Sequence, residues 1–100
     1  MGYPMNNLKE SYRQHMIGQL QLWEGKIAHL RAGAEILEGI SRLEYEARLR
    51  ELEGCNRDVF GRYADLLLAD DNLWDEKRMA LDATAYRMEE MLMDFALQPA

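Results

Sequence analysis

The side chains best suited to chemistry in this chain are two histidines, His15 and His29, and one cysteine, Cys55. A carboxylate-bridged metal site in a helical bundle needs a Glu three residues before each His, and those positions hold Tyr12 and Lys26. The sequence contains no Cys or His pair at zinc spacing, no HExxH, no glycine-rich phosphate loop and no GxSxG turn. Cys55 would need a base and an orienting group to act as a nucleophile, and nothing beside it supplies them; it reads as a half-buried thiol next to an apolar seam. Catalysis, a resident metal and a cofactor are therefore not expected.

Charge narrows the partners. The net charge is -6; residues 1–50 carry 7 basic and 6 acidic groups and residues 51–100 carry 5 and 12. Nucleic-acid binding depends on a basic stripe that displaces counterions, and this chain has none. The acidic half is a solvated face or a docking face for a basic partner. A lone cysteine, unable to pair within the chain, together with the lack of a secretory apolar run, leads to the expectation of a cytoplasmic protein.

The elements that hold these residues follow from apolar spacing. Met16, Leu20, Trp23, Ile27, Leu30, Ala34 and Leu37 alternate steps of four and three, which is a heptad seam. A second seam runs through Tyr45, Leu49, Leu52, Asn56, Val59, Tyr63 and Leu66, and a third through Trp74, Leu81, Ala85, Met88, Leu92 and Phe95. Trp23 and Trp74 read as core anchors and Asn56 as a register-setting polar contact. The expected fold is all-α, a single unit over residues 1–100: a long-helix antiparallel hairpin or a three-helix bundle with coiled-coil packing. Helix is expected over about residues 6–68, a turn over 69–72 with Asn72 as cap, and helix again over 73–97.

Whether the first helix breaks is left open. Gly39 could close one helix while Ser41 and Glu44 form a capping box for the next; equally, steps of four through Leu37, Ser41 and Tyr45 describe a stutter in one continuous coil. The pairs Glu38 with Arg42, Glu44 with Arg48 and Glu46 with Arg50 add ~0.2–0.5 kcal/mol each to helix and favour continuity.

Two features stand off the seams. Gly18, Gly25, Ala32 and Gly39 recur every seven residues on the face opposite the first seam, where another helix could approach closely or where glycine is merely tolerated. Leu22, Ile36, Ile40 and Leu43 also lie off the seam, and a helix apolar on more than one side meets more than one neighbour. Near the end of the chain Met88, Leu92 and Phe95 fit the core, whereas Met91 and Met93 could edge a partner groove.

With Tyr12, Leu20, Trp23, Ile27, Leu30 and Ala32, then Glu44-Tyr45-Glu46, Glu51-Leu52, and Trp74 followed by Lys77, the chain from about residue 8 to 90 resembles small bacterial helical proteins, described as coiled-coil or stress-response proteins and distantly apolipoprotein-like. That resemblance implies an elongated helical hairpin or bundle without a cofactor, with a stress-related setting.

The function expected is that of a non-enzymatic interaction or structural protein that self-associates through its seams, with Met16, Leu20, Trp23, Ile27, Leu30, Leu37, Trp74, Leu81, Met88, Leu92 and Phe95 as the contacting residues. An unbroken first helix would be roughly 95 Å long against about 37 Å for the last, so a homodimer paired through the uncovered stripe is the expected assembly. The alternatives are reversible attachment to a lipid surface, disfavoured by the acidic polar face, and an acidic inhibitor seated in a basic groove of another protein.

Overall fold

The computed structural model describes the backbone of residues 3–97 and the side chains of residues 7–95. Residues 1, 2 and 98–100 of the expected single unit lie outside the described residues. Three α-helices follow one another: α1 (Tyr3–Gly33), α2 (Gly39–Leu67) and α3 (Asp71–Leu97), with a turn of 3-10 helix at Ala34–Ile36. They form an elongated three-helix bundle measuring 61 × 19 × 18 Å. The described residues contain no strand. No described helix is long and apolar enough to cross a membrane.

The first helix breaks, which decides the question left open over residues 6–68 in favour of the three-helix bundle and places the interruption at residues 34–38, just before the expected 39–41. After the 3-10 turn, Leu37 and Glu38 are extended, at φ -98° and -136°, and Gly39 takes φ +64°. That left-handed conformation costs a side chain ~1–2 kcal/mol and suits glycine. Gly39 thus starts α2 and does not end α1, and Ser41 lies inside α2, not at its cap. The magnitudes explain the outcome. Three exposed ion pairs offer about 1 kcal/mol to a continuous helix; reversal buries Met16, Trp23 and Ile27 within one chain, at ~1.5–3 kcal/mol for each large apolar side chain.

The reversal is locked from α2. The Tyr45 hydroxyl donates to the Leu30 carbonyl at 2.7 Å, satisfying an acceptor left over in the last turn of α1. Gly33 makes room for it: a Cβ there would stand 3.0 Å from the Tyr45 hydroxyl oxygen. At the second reversal α3 begins at Asp71, so Asn72 lies within its first turn and is not its cap.

The seams become the core. Leu52, Val59, Leu66, Leu81 and Met88 are almost wholly buried, with Trp23 beside them. Trp74, Leu92 and Phe95 complete the α3 side, and Leu20, Leu30 and Tyr45 pack against it half-buried. Leu37 is half-buried in the connection. Because α2 and α3 cover the first seam, its residues are spent inside the chain. The long overhang does not exist, so no uncovered first helix is left for a second copy to pair with in that way.

Candidate functional site

Cys55 lies buried between α2 and α3, its Sγ facing the Thr84 carbonyl at 3.9 Å. Burial pushes its thiol above the ordinary value, with Asp58 adding to the shift and Arg87 opposing it. Enclosed and facing a backbone carbonyl, the thiol packs within the core. Among the described residues no group of three or more His, Cys, Asp or Glu is placed to hold a metal ion.

His15 and His29 stand far apart on α1 but share one side of it, where α1 faces α3. This side is the least closed part of the bundle. Among the described residues, α1 and α3 nowhere bring Cα atoms within 8 Å of each other, so long side chains must bridge them. At one end the bridge is tight. Lys9 Nζ lies 2.6 Å from an Asp71 carboxylate oxygen and 5.5 Å from the Trp74 ring centre. Tyr12 meets Trp74 edge-on at 5.7 Å and donates its hydroxyl to Asp82. Burial first, then the hydrogen bond and charge of Asp82, push the Tyr12 phenol up. Asp71 is fully exposed, and the hydrogen bond and charge of Lys9 hold its carboxyl below the usual range.

Beyond Tyr12 the gap opens into a cleft with two parts. In the first, of about 300 Å³, His15, Gln19 and Trp23 face Asp82, Tyr86 and Glu89. In the second, of about 590 Å³, Leu22, Gly25, Lys26, His29 and Leu30 face Glu89, Leu92, Met93 and Phe95. Between them the Trp23 indole N–H donates to Glu89 at 3.0 Å. The floor of the larger part is apolar, from Leu30, Leu92 and Phe95. On the α3 rim stand Tyr86 and Met93, 68% and 61% exposed, and one heptad earlier in the same row is Met79, at 62%. On the α1 rim Leu22 is half exposed, and a Cβ at Gly18 or Gly25 would meet nothing within 4 Å.

The cleft therefore gathers residues that the sequence had marked separately. Of the glycine face Gly25 lines it, and so do Leu22 and Met93. Met91 does not: it is half-buried against the core. Ile36, Ile40 and Leu43, also off the seam, are exposed near the first reversal. Sequence reasoning passed over Met79 and Tyr86, although their seven-residue spacing to Met93, outside the third seam, was there to be read. Asn56 is half-buried with its Oδ1 enclosed and unpaired among the described residues, beside a smaller polar recess where Arg31 and Glu53 pair. The larger part of the cleft, apolar on its floor, offers a seat for an apolar surface. Comparison with known protein families, curated proteins and solved structures finds no match to this chain.

Proposed function

We propose that this chain is a non-enzymatic helical interaction protein whose binding face is the cleft between α1 and α3. The observation that carries the reading is an apolar cleft of about 590 Å³ edged by exposed Leu22 and Met93. Helix-in-groove recognition places an amphipathic helix in such a cleft, with anchors on its floor and polar groups along its rim. A cytoplasmic setting accords with a single cysteine kept as a thiol. The test is a photo-reactive amino acid placed at Leu22, on the cleft, and at Arg50, on the exposed side of α2. Protein adducts at Leu22 and not at Arg50 support the reading; none at Leu22, or equal yields at both, removes it.

A second reading, attachment to a lipid surface, draws on Leu67, Leu68 and Leu73, which are exposed around the second reversal. Asp70 and Asp71 in the same stretch oppose anionic lipid. Flotation with neutral vesicles tests it: absence of co-flotation eliminates this reading.

A further inference from the structure

Resting on the reading of the cleft as a binding face, we infer that its occupant is a second copy of this chain, related by a twofold axis parallel to the rod, so that α1 of each copy lies along α3 of the other.

The two walls of the cleft match each other. Both α1 and α3 run antiparallel to α2, so they point the same way, and a twofold along the rod leaves every level unchanged. Tyr86 lies level with the α1 stretch from His15 to Trp23, which contains Gly18. Met93 lies level with Gly25. The same interval of seven residues separates the two glycines and the two large side chains. Rotation about the twofold therefore sets Tyr86 of one copy over the Gly18 position of the other, and Met93 over Gly25. Among the described residues nothing lies within 4 Å of where a Cβ would stand at either glycine, and both large side chains stand out from the rim. The glycine face and the apolar row thus become knob and recess of one interface, with a closed, isologous geometry.

Charge selects this pairing over one of α1 on α1. Helix α3 holds three basic and seven acidic residues, a net -4, while on α1 Lys9 and Arg31 are paired within the chain and Lys26 stands on the cleft wall. Stacking like helices would set acidic α3 against acidic α3, whereas the twofold along the rod keeps the two α3 helices apart and sets Lys26 towards α3 at both sites. Lys26 on the cleft wall then meets the exposed Glu90 of the second copy, near their common level. The area is sufficient. A face as long as α3, about 40 Å, and 19 Å wide spans roughly 760 Å², against about 800 Å² per partner in a standard interface.

The test is sedimentation equilibrium of the full chain. The wild type is expected to be a dimer, and Gly25→Leu to raise the dimer Kd at least about tenfold with unchanged helix content, because a Cβ at that position meets no described atom of its own chain within 4 Å and the rest of the side chain enters the recess. Gly25→Leu combined with Met93→Ala is expected to recover much of the pairing, while Arg50→Glu on the exposed side of α2 leaves it intact. A wild type that stays monomeric at about 100 µM, a concentration at which interfaces of this size pair, overturns the inference, as does a Gly25→Leu chain that dimerises like the wild type. The two readings fail separately. Adducts at Leu22 with a different protein from a monomeric chain overturn self-pairing and leave the cleft standing, whereas no adducts at Leu22 from a monomeric chain remove both.

Discussion

Trp23 and Glu89 are joined by an indole N–H to carboxylate hydrogen bond of 3.0 Å that spans the gap between α1 and α3. Trp23 is 1% exposed, so its N–H depends on that carboxylate. Glu89→Ala should cost ~1–3 kcal/mol, because a buried donor is left unsatisfied, and Glu89→Gln, which keeps an acceptor oxygen, should restore most of it. Urea unfolding of the two variants measures the difference; equal losses would show that the bond contributes little.

The core makes a larger demand. Leu52 and Leu81, both fully buried, sit where α2 and α3 pack together, and Leu→Ala at either position should cost ~2–5 kcal/mol. Gly25→Ala should move the other way. A Cβ there meets no described atom of its own chain within 4 Å, so in a solution dilute enough to hold the chain as a monomer the higher helix propensity of alanine should add ~0.8–1 kcal/mol. Thermal unfolding in which both kinds of variant shift the same way would contradict this partition.

At the first reversal two glycines have different tasks. Gly39→Ala forces a side chain into φ +64° and should lose ~1–2 kcal/mol. Gly33→Ala should act through Tyr45, since the new methyl crowds its hydroxyl and weakens the bond to the Leu30 carbonyl. A double-mutant cycle of Gly33→Ala with Tyr45→Phe should therefore show coupling, and strict additivity would refute the shared mechanism.

Stability should depend on pH at both extremes. Tyr12 is raised from an ordinary value of 10.0, so the folded state holds its proton more firmly than the unfolded one; that contribution is complete below pH 10 and is lost as pH rises towards the folded value. Asp71 is lowered from 3.8, so its contribution is present above that value and is lost as pH falls through the folded one. Tyr12→Phe should flatten the alkaline limb of a stability profile and leave the acidic limb unchanged. An unaltered alkaline limb would rule out Tyr12 as its source.

The helical class and the core were legible in the sequence because heptad spacing is a property of residue type and position alone. Leu52, Val59, Leu66, Leu81 and Met88 were all on seams and all are buried. The break was legible only as one of two alternatives, near Gly39 and Ser41, since the choice between a stutter and a reversal depends on how much surface the returning helix covers. Local ion pairs pointed to continuity and were outweighed. The cleft was visible only in parts. Gly25, Leu22 and Met93 each stood off a seam, but which helices they face is set by packing. Met79 and Tyr86 shared their heptad row with Met93 and were hidden by attention to the seam beside them.

The most direct measurement is cross-linking in a Cys55→Ala background with a short bis-maleimide, using one chain that carries Gly18→Cys and another that carries Tyr86→Cys. With α1 of each copy lying along α3 of the other, an equal mixture should yield a covalent dimer up to about half, the share of mixed pairs in a closed twofold assembly, and each chain alone should yield little. Efficient self-linking of the Gly18→Cys chain, or no linked product from the mixture at a concentration where the protein is paired, would contradict the account.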